Sequence, residues 1–177
     1  MVDQMTYFKD LSEYSYAHSE FHRPGTVNIG WLGPNADFNQ MELDEGLLDI
    51  VWEYTKISVA QFRGLHDCEF CPPHTSNLAE RNGEKRLLGA AEIRVFAKSG
   101  VIYAAPDLIF HYMSIHKYGP PEPFIAALKN GPRPSSKEYF ERLSELGLTW
   151  TEKSALKSKP VRFRLVRTKD GLKKEIL

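Results

Sequence analysis

The sequence has little of most features that would announce a function. It holds two cysteines in 177 residues, too few for the disulfide framework of a small secreted domain. In a chain with no targeting segment, such a close pair fits a reducing compartment. Neither charge is in excess: 23 Lys and Arg balance 23 Asp and Glu, so no net field steers the protein toward nucleic acid or an anionic membrane. No apolar run approaches the roughly 18–20 residues that a bilayer span requires. The first residues lack the basic, apolar, small-residue progression of a signal peptide. A Gly-rich phosphate loop and a Gly-x-Ser-x-Gly nucleophile elbow are both missing. There is no internal repeat and no low-complexity segment. These absences together give the expectation of a cytoplasmic protein with no membrane partner and no nucleic acid partner.

Hydrophobic residues make up 42% of the chain, enough for a core without covalent staples at this length. One domain over 1–177 is the simplest division, with 133–177 a possible C-terminal elaboration. The ends carry opposite charge. Residues 1–60 contain ten acidic and three basic side chains, and residues 153–174 nine basic and one acidic. Arg162 and Arg164 alternate with Val161, Phe163 and Leu165, the pattern of an edge strand protected by a charged face, and Asp170-Gly171 offers a turn into a second strand.

Local signals place the other elements. An aromatic arm (Tyr7, Phe8, Tyr14, Tyr16, Phe21) ends at Arg23-Pro24-Gly25. Thr26 to Leu32 alternates as a strand. Asp44 caps a helix carrying Leu47, Leu48, Val51 and Trp52, expected to close near Arg63-Gly64. Thr75 to Arg86 is polar and reads as exposed, with Asn82-Gly83 as a turn. Residues 89–96 and 101–104 read as two strands joined by a Gly-containing loop. Pro106 suits a helix start and Asp107 its positive end, so a central helix is expected over 106–117. A short helix follows at 122–129, and Ser135-x-x-Glu138 opens another as a capping box. The mixed order, without regular βαβ alternation, predicts an α+β fold: a small, mostly antiparallel sheet packed with several helices and a Cys/His loop.

The chemistry concentrates in Arg63-Gly64-Leu65-His66-Asp67-Cys68-Glu69-Phe70-Cys71-Pro72-Pro73-His74. Two thiolates three residues apart can close on one tetrahedral ion at about 2.3 Å each. In an extended lead-in His66 falls on the side of Cys68, and a polyproline lead-out would return His74 toward Cys71. Cys68 and Cys71 are thus the leading metal ligands and His66 the next. The fourth place is open to His74 or to a histidine from elsewhere. On the central helix His111 and His116 stand about 140° apart at 3.6 residues per turn, which argues against both reaching one ion. Of the two, His111 is the better long-range candidate.

Other readings of the same residues are weaker. A thiol oxidoreductase needs its Cys-x-x-Cys at a helix start, and Pro72-Pro73 with the polar stretch beyond offers none. A zinc deaminase combines His-x-Glu with Pro-Cys-x-x-Cys. Here His18-Ser19-Glu20 copies the first part, but Asp67 replaces the proline. His18 and His22 read as surface residues. A zinc-dependent hydrolase would leave one metal position to water, with Asp67, Glu69 or Glu92 as base.

The chain resembles a family of uncharacterised bacterial proteins sharing a Gly-x-His-x-Cys-x-x-Cys motif. The likeness runs through Tyr7 to Tyr14, Val27 to Leu32, Arg63 to Cys71, Ala91 to Val95 and Tyr103 to Pro106, then His111-Tyr112 and His116. It spans roughly the first 125 residues and brings no established activity. The resemblance implies a bacterial domain with a Cys/His site, and favours His66 and His111 over His74. The combined expectation is a binding or regulatory module for an unspecified protein or small-molecule partner, held in shape by zinc on Cys68, Cys71, His66 and His111.

Overall fold

The computed structural model describes residues 7–16 and 23–153, and the backbone of 163–168 and 171–176. The sequence features at His18, Glu20, His22, Phe21, Val161, Arg162 and Asp170 lie outside the described residues.

The fold is α+β, as the element order predicts. Its main sheet holds five strands: β1 (Thr26–Asn28), β2 (Ile57–Val59), β5 (Glu92–Phe96), β6 (Ile102–Pro106) and β7 (Trp150–Glu152), in the order β1-β6-β5-β2-β7. Every pairing is antiparallel except β1 with β6. Two small hairpins stand apart from it, β3 (Leu78–Arg81) with β4 (Glu84–Leu87), and β8 (Phe163–Thr168) with β9 (Gly171–Ile176).

Several boundaries move from where local patterns place them, each for a tertiary reason. The first strand stops at Asn28 because Gly30 turns the chain with φ +68°, in close contact with Ile109. Helix α1 (Glu45–Lys56) starts as expected, the Asp44 carboxylate accepting the Leu47 amide at 2.7 Å. It ends at Lys56 rather than near residue 63, because Ile57-Ser58-Val59 pairs with both β5 and β7. The polar stretch 75–86 forms the β3–β4 hairpin around Asn82-Gly83, both at positive φ, the geometry of a type I′ turn. Arg86 of that hairpin is buried, its guanidinium 4.6 Å from the centre of the Trp52 ring. The central helix α2 spans Ile109–His116, shorter than expected at its start. Pro106 belongs to β6, and Asp107 is fully buried and receives the Gly89 amide at 2.6 Å. Helix α3 covers Glu122–Asn130. Helix α4 (Lys137–Glu145) is capped by Ser136, one residue later than the capping box suggests, since Ser135 lies at φ +70°.

The sheet separates an apolar side from a polar one. Along β6, Tyr103 and Ala105 join the main core with α1, α2 and α3, while Ala104 faces the N-terminal arm. There Tyr14 and Trp31 cover it. Glu92 and Arg94 lie buried beneath the arm, the guanidinium donating to the carboxylate at 2.6 Å and sitting 4.9 Å from the Tyr14 ring centre. The Tyr14 hydroxyl donates to Glu92 at 2.8 Å. Burial pushes the Glu92 carboxyl up, and the adjoining guanidinium pulls it back.

The loop after β2 is fastened by main-chain bonds before it reaches the cysteines. Phe62 donates to the Ala90 carbonyl and His66 to the Gly89 carbonyl, both at 2.8 Å. The Asn77 amide donates to the His66 carbonyl at 2.7 Å. Gly89 has φ +101°, and a Cβ there would lie 2.4 Å from the His66 oxygen.

Two expectations follow. Arg94→Met strands a buried carboxylate and should cost about 3–5 kcal/mol in urea unfolding, with Glu92→Met/Arg94→Met losing less than the single variant. A loss below about 1 kcal/mol for the single variant would remove the ion pair from any structural role. Gly89→Ala should cost about 1–3 kcal/mol in the same measurement through overpacking against His66.

Candidate metal centre

Four side chains converge where the loop meets α2. One ligand atom from each of Cys68, Cys71, His111 and His116 lies within 4.8 Å of every other. The His116 Nε2 is 3.2 Å from the Cys68 sulfur and 3.4 Å from the Cys71 sulfur. The His111 Nε2 is 3.4 Å from the Cys71 sulfur, and the two Nε2 atoms are 3.2 Å apart. Two sulfurs and two imidazole nitrogens in this arrangement can hold a metal ion. Among the described residues no second group of this kind occurs.

Each side chain reaches the group for a local reason. The chain turns straight after Cys68, with the Cys71 amide donating to the Cys68 carbonyl at 3.3 Å, so both sulfurs emerge on one side. Phe70 inside this turn packs on Phe38, Tyr112 and the His116 ring. His111 sits in the first turn of α2, and His116 is the last residue of that helix. The 140° between their positions describes Cα–Cβ directions only. The rings extend beyond the helix surface and lean toward each other, centroids 5.0 Å apart and planes inclined by 64°. Lys117 then takes a left-handed conformation, and the Lys117 and Tyr118 amides both return to the Tyr112 carbonyl. The helix therefore stops at His116.

His66, the third ligand expected from the sequence, lies outside the group. Its Nε2 is 3.1 Å from the Tyr16 hydroxyl. The contact with Tyr16 holds its ring at the aromatic arm, away from the sulfurs. His74 is exposed and also outside the group. Instead of a polyproline lead-out, the Thr75 amide and hydroxyl both bond the Pro72 carbonyl and bend the chain away. His116 is the residue that helix-face arithmetic set aside. Its one sequence signal is its place just before Lys117-Tyr118-Gly119-Pro120, where a side chain escapes that arithmetic.

Burial sets the electrostatics. It pushes the Cys68 thiol up to about 11, and the neighbouring Cys71 acts in the same direction. Burial lowers His111, helped by His116, and lowers His116 itself. Both imidazoles are thus held toward the neutral form that ligates, whereas the Cys68 thiol needs a cation to become a thiolate. The candidate bases differ in availability. Glu92 is engaged by Tyr14 and Arg94, and Asp67 lies 3.3 Å from the Asn77 amide. Glu69 keeps a buried oxygen with no hydrogen-bond partner. Beside His66 a small cavity, lined also by Tyr16, Trp31, Phe62, Glu92 and Asp107, measures about 10 Å³, room for one water and no larger ligand. Among the described residues no helix is long and apolar enough to cross a membrane.

Comparison with curated proteins and with solved structures gives no match. The model of one protein family, the domain of unknown function DUF7919, matches residues 6–129. That range takes in the aromatic arm, the main sheet apart from β7, and all four converging side chains; the chain belongs to the DUF7919 family of domains of unknown function.

Proposed function

We propose that Cys68, Cys71, His111 and His116 bind one zinc ion, and that the ion is a structural tie in a non-enzymatic binding or regulatory domain. The observation that carries this reading is the spacing of the four ligand atoms. A tetrahedral zinc with bonds of about 2.0–2.1 Å to nitrogen and about 2.3 Å to sulfur separates two nitrogens by about 3.3 Å, and a nitrogen from a sulfur by about 3.6 Å. The corresponding distances here are 3.2 Å between nitrogens and 3.2–3.4 Å between nitrogen and sulfur. A set of two thiolates and two imidazoles is also the donor chemistry that selects zinc over harder cations.

Four protein ligands fill a tetrahedron and leave no position for an activated water, which supports a structural role over hydrolysis. A hydrolytic centre would require one ligand to step aside, with the unpartnered oxygen of Glu69 as the base nearest in sequence. A thiol oxidoreductase lacks support from the fold, because the cysteines lie in a turn and no helix begins between Cys71 and α2. The ion would join the loop after β2 to both ends of α2, so its binding energy would add to folding.

Metal analysis of protein purified without a polyhistidine tag tests this. About one zinc per chain is expected, with chelation lowering the melting temperature. His116→Ala should weaken zinc binding by more than the roughly 10–100-fold typical of losing a group behind a ligand. His66→Ala should leave the stoichiometry intact. Loss of zinc in His66→Ala with retention in His116→Ala would overturn the ligand set.

A further inference from the structure

The two sulfurs differ in access. Cys68 is buried and Cys71 only partly so, and they are the only thiols of the chain. Their sulfurs are no more than 4.8 Å apart, in a turn closed by the Cys71 amide on the Cys68 carbonyl. The loop that carries them is held by bonds that do not pass through sulfur. These are His66 to Gly89, Phe62 to Ala90, Asn77 to the His66 carbonyl, and Leu88 to the Asn77 carbonyl at 3.1 Å. Gly89 is anchored in turn on the buried Asp107 carboxylate, which Lys153 also pairs. The loop is therefore fastened at both ends whatever happens at the ligands.

Building on the zinc assignment above, we propose that Cys68 and Cys71 form a reversible oxidation site: hydrogen peroxide converts them to an intramolecular disulfide, the ion leaves, and the fold persists without it. The more accessible Cys71 thiolate attacks one peroxide oxygen. A sulfur–oxygen bond forms as the oxygen–oxygen bond breaks, and the departing oxygen takes a proton and leaves as water. The Cys68 thiolate then attacks the sulfur of the Cys71 sulfenic acid. The sulfur–sulfur bond forms at about 2.0 Å, the sulfur–oxygen bond breaks, and the hydroxyl leaves with a proton as a second water. Two electrons pass from the two sulfurs to the peroxide. The ion keeps only His111 and His116, and two imidazoles do not complete a tetrahedral zinc site. A dithiol reductant reverses the disulfide by exchange.

The test treats the zinc-loaded full chain with stoichiometric hydrogen peroxide and follows zinc with a colorimetric chelator, intact mass and near-ultraviolet circular dichroism. Expected are release of about one zinc per chain, a loss of two mass units without dimer formation, a preserved near-ultraviolet spectrum, and recovery of zinc binding after dithiothreitol. Three results overturn the proposal while leaving the zinc assignment standing: zinc retained with both thiols free, gain of oxygen that dithiothreitol does not reverse, or collapse of the near-ultraviolet spectrum on release. A chain that takes up no zinc before any oxidant is added sinks the metal assignment itself.

Discussion

The His66–Gly89 hydrogen bond is the interaction on which the candidate centre depends. It fixes the main chain two residues before Cys68, at a point where Gly89 approaches too closely for any side chain. Gly89 is held from behind by a carboxylate with no solvent exposure, Asp107, which sits at the junction between β6 and α2. One short segment thus sets where the cysteine turn begins and where the histidine-bearing helix begins. Convergence of two elements more than 30 residues apart in sequence follows from this shared anchor, with no need for the ligands to find each other unaided.

What could be read directly from the sequence was whatever is local. The Asp44 cap, the β5–β6 hairpin and the stop after Asn130 each depend on a few neighbouring residues, and the structure keeps them. The rest depends on contacts across the fold. Asp107 has the composition of a helix start but is taken by the Gly89 amide. Arg86 looks like a surface charge but lies over the Trp52 ring. His66 shares the motif with the cysteines, yet its ring faces the aromatic arm through Tyr16. His116 is the last residue of its helix, and its ring leans back toward His111 with centroids 5.0 Å apart, a side-chain direction that Cα–Cβ arithmetic does not reveal.

The polar side of the sheet is a different kind of interior. Tyr14 closes over Glu92 and Arg94 with both a hydroxyl donor and a ring face, so the arm is recognised by charge and direction as much as by apolar area. A misplaced arm would leave those two ions facing solvent or an unmatched surface. The arm's register is thereby specified more sharply than its irregular, aromatic sequence suggests.

The two histidines at the ends of α2 turn that helix into a calliper. With both rings closing on one point, the number of residues between them is no longer free to drift. Adding or deleting one residue would swing His116 by about 100° and shift it by about 1.5 Å along the axis. Length variation among related chains should therefore gather in the turn beyond Cys71 and spare this one short helix, whose span serves as the ruler for the site.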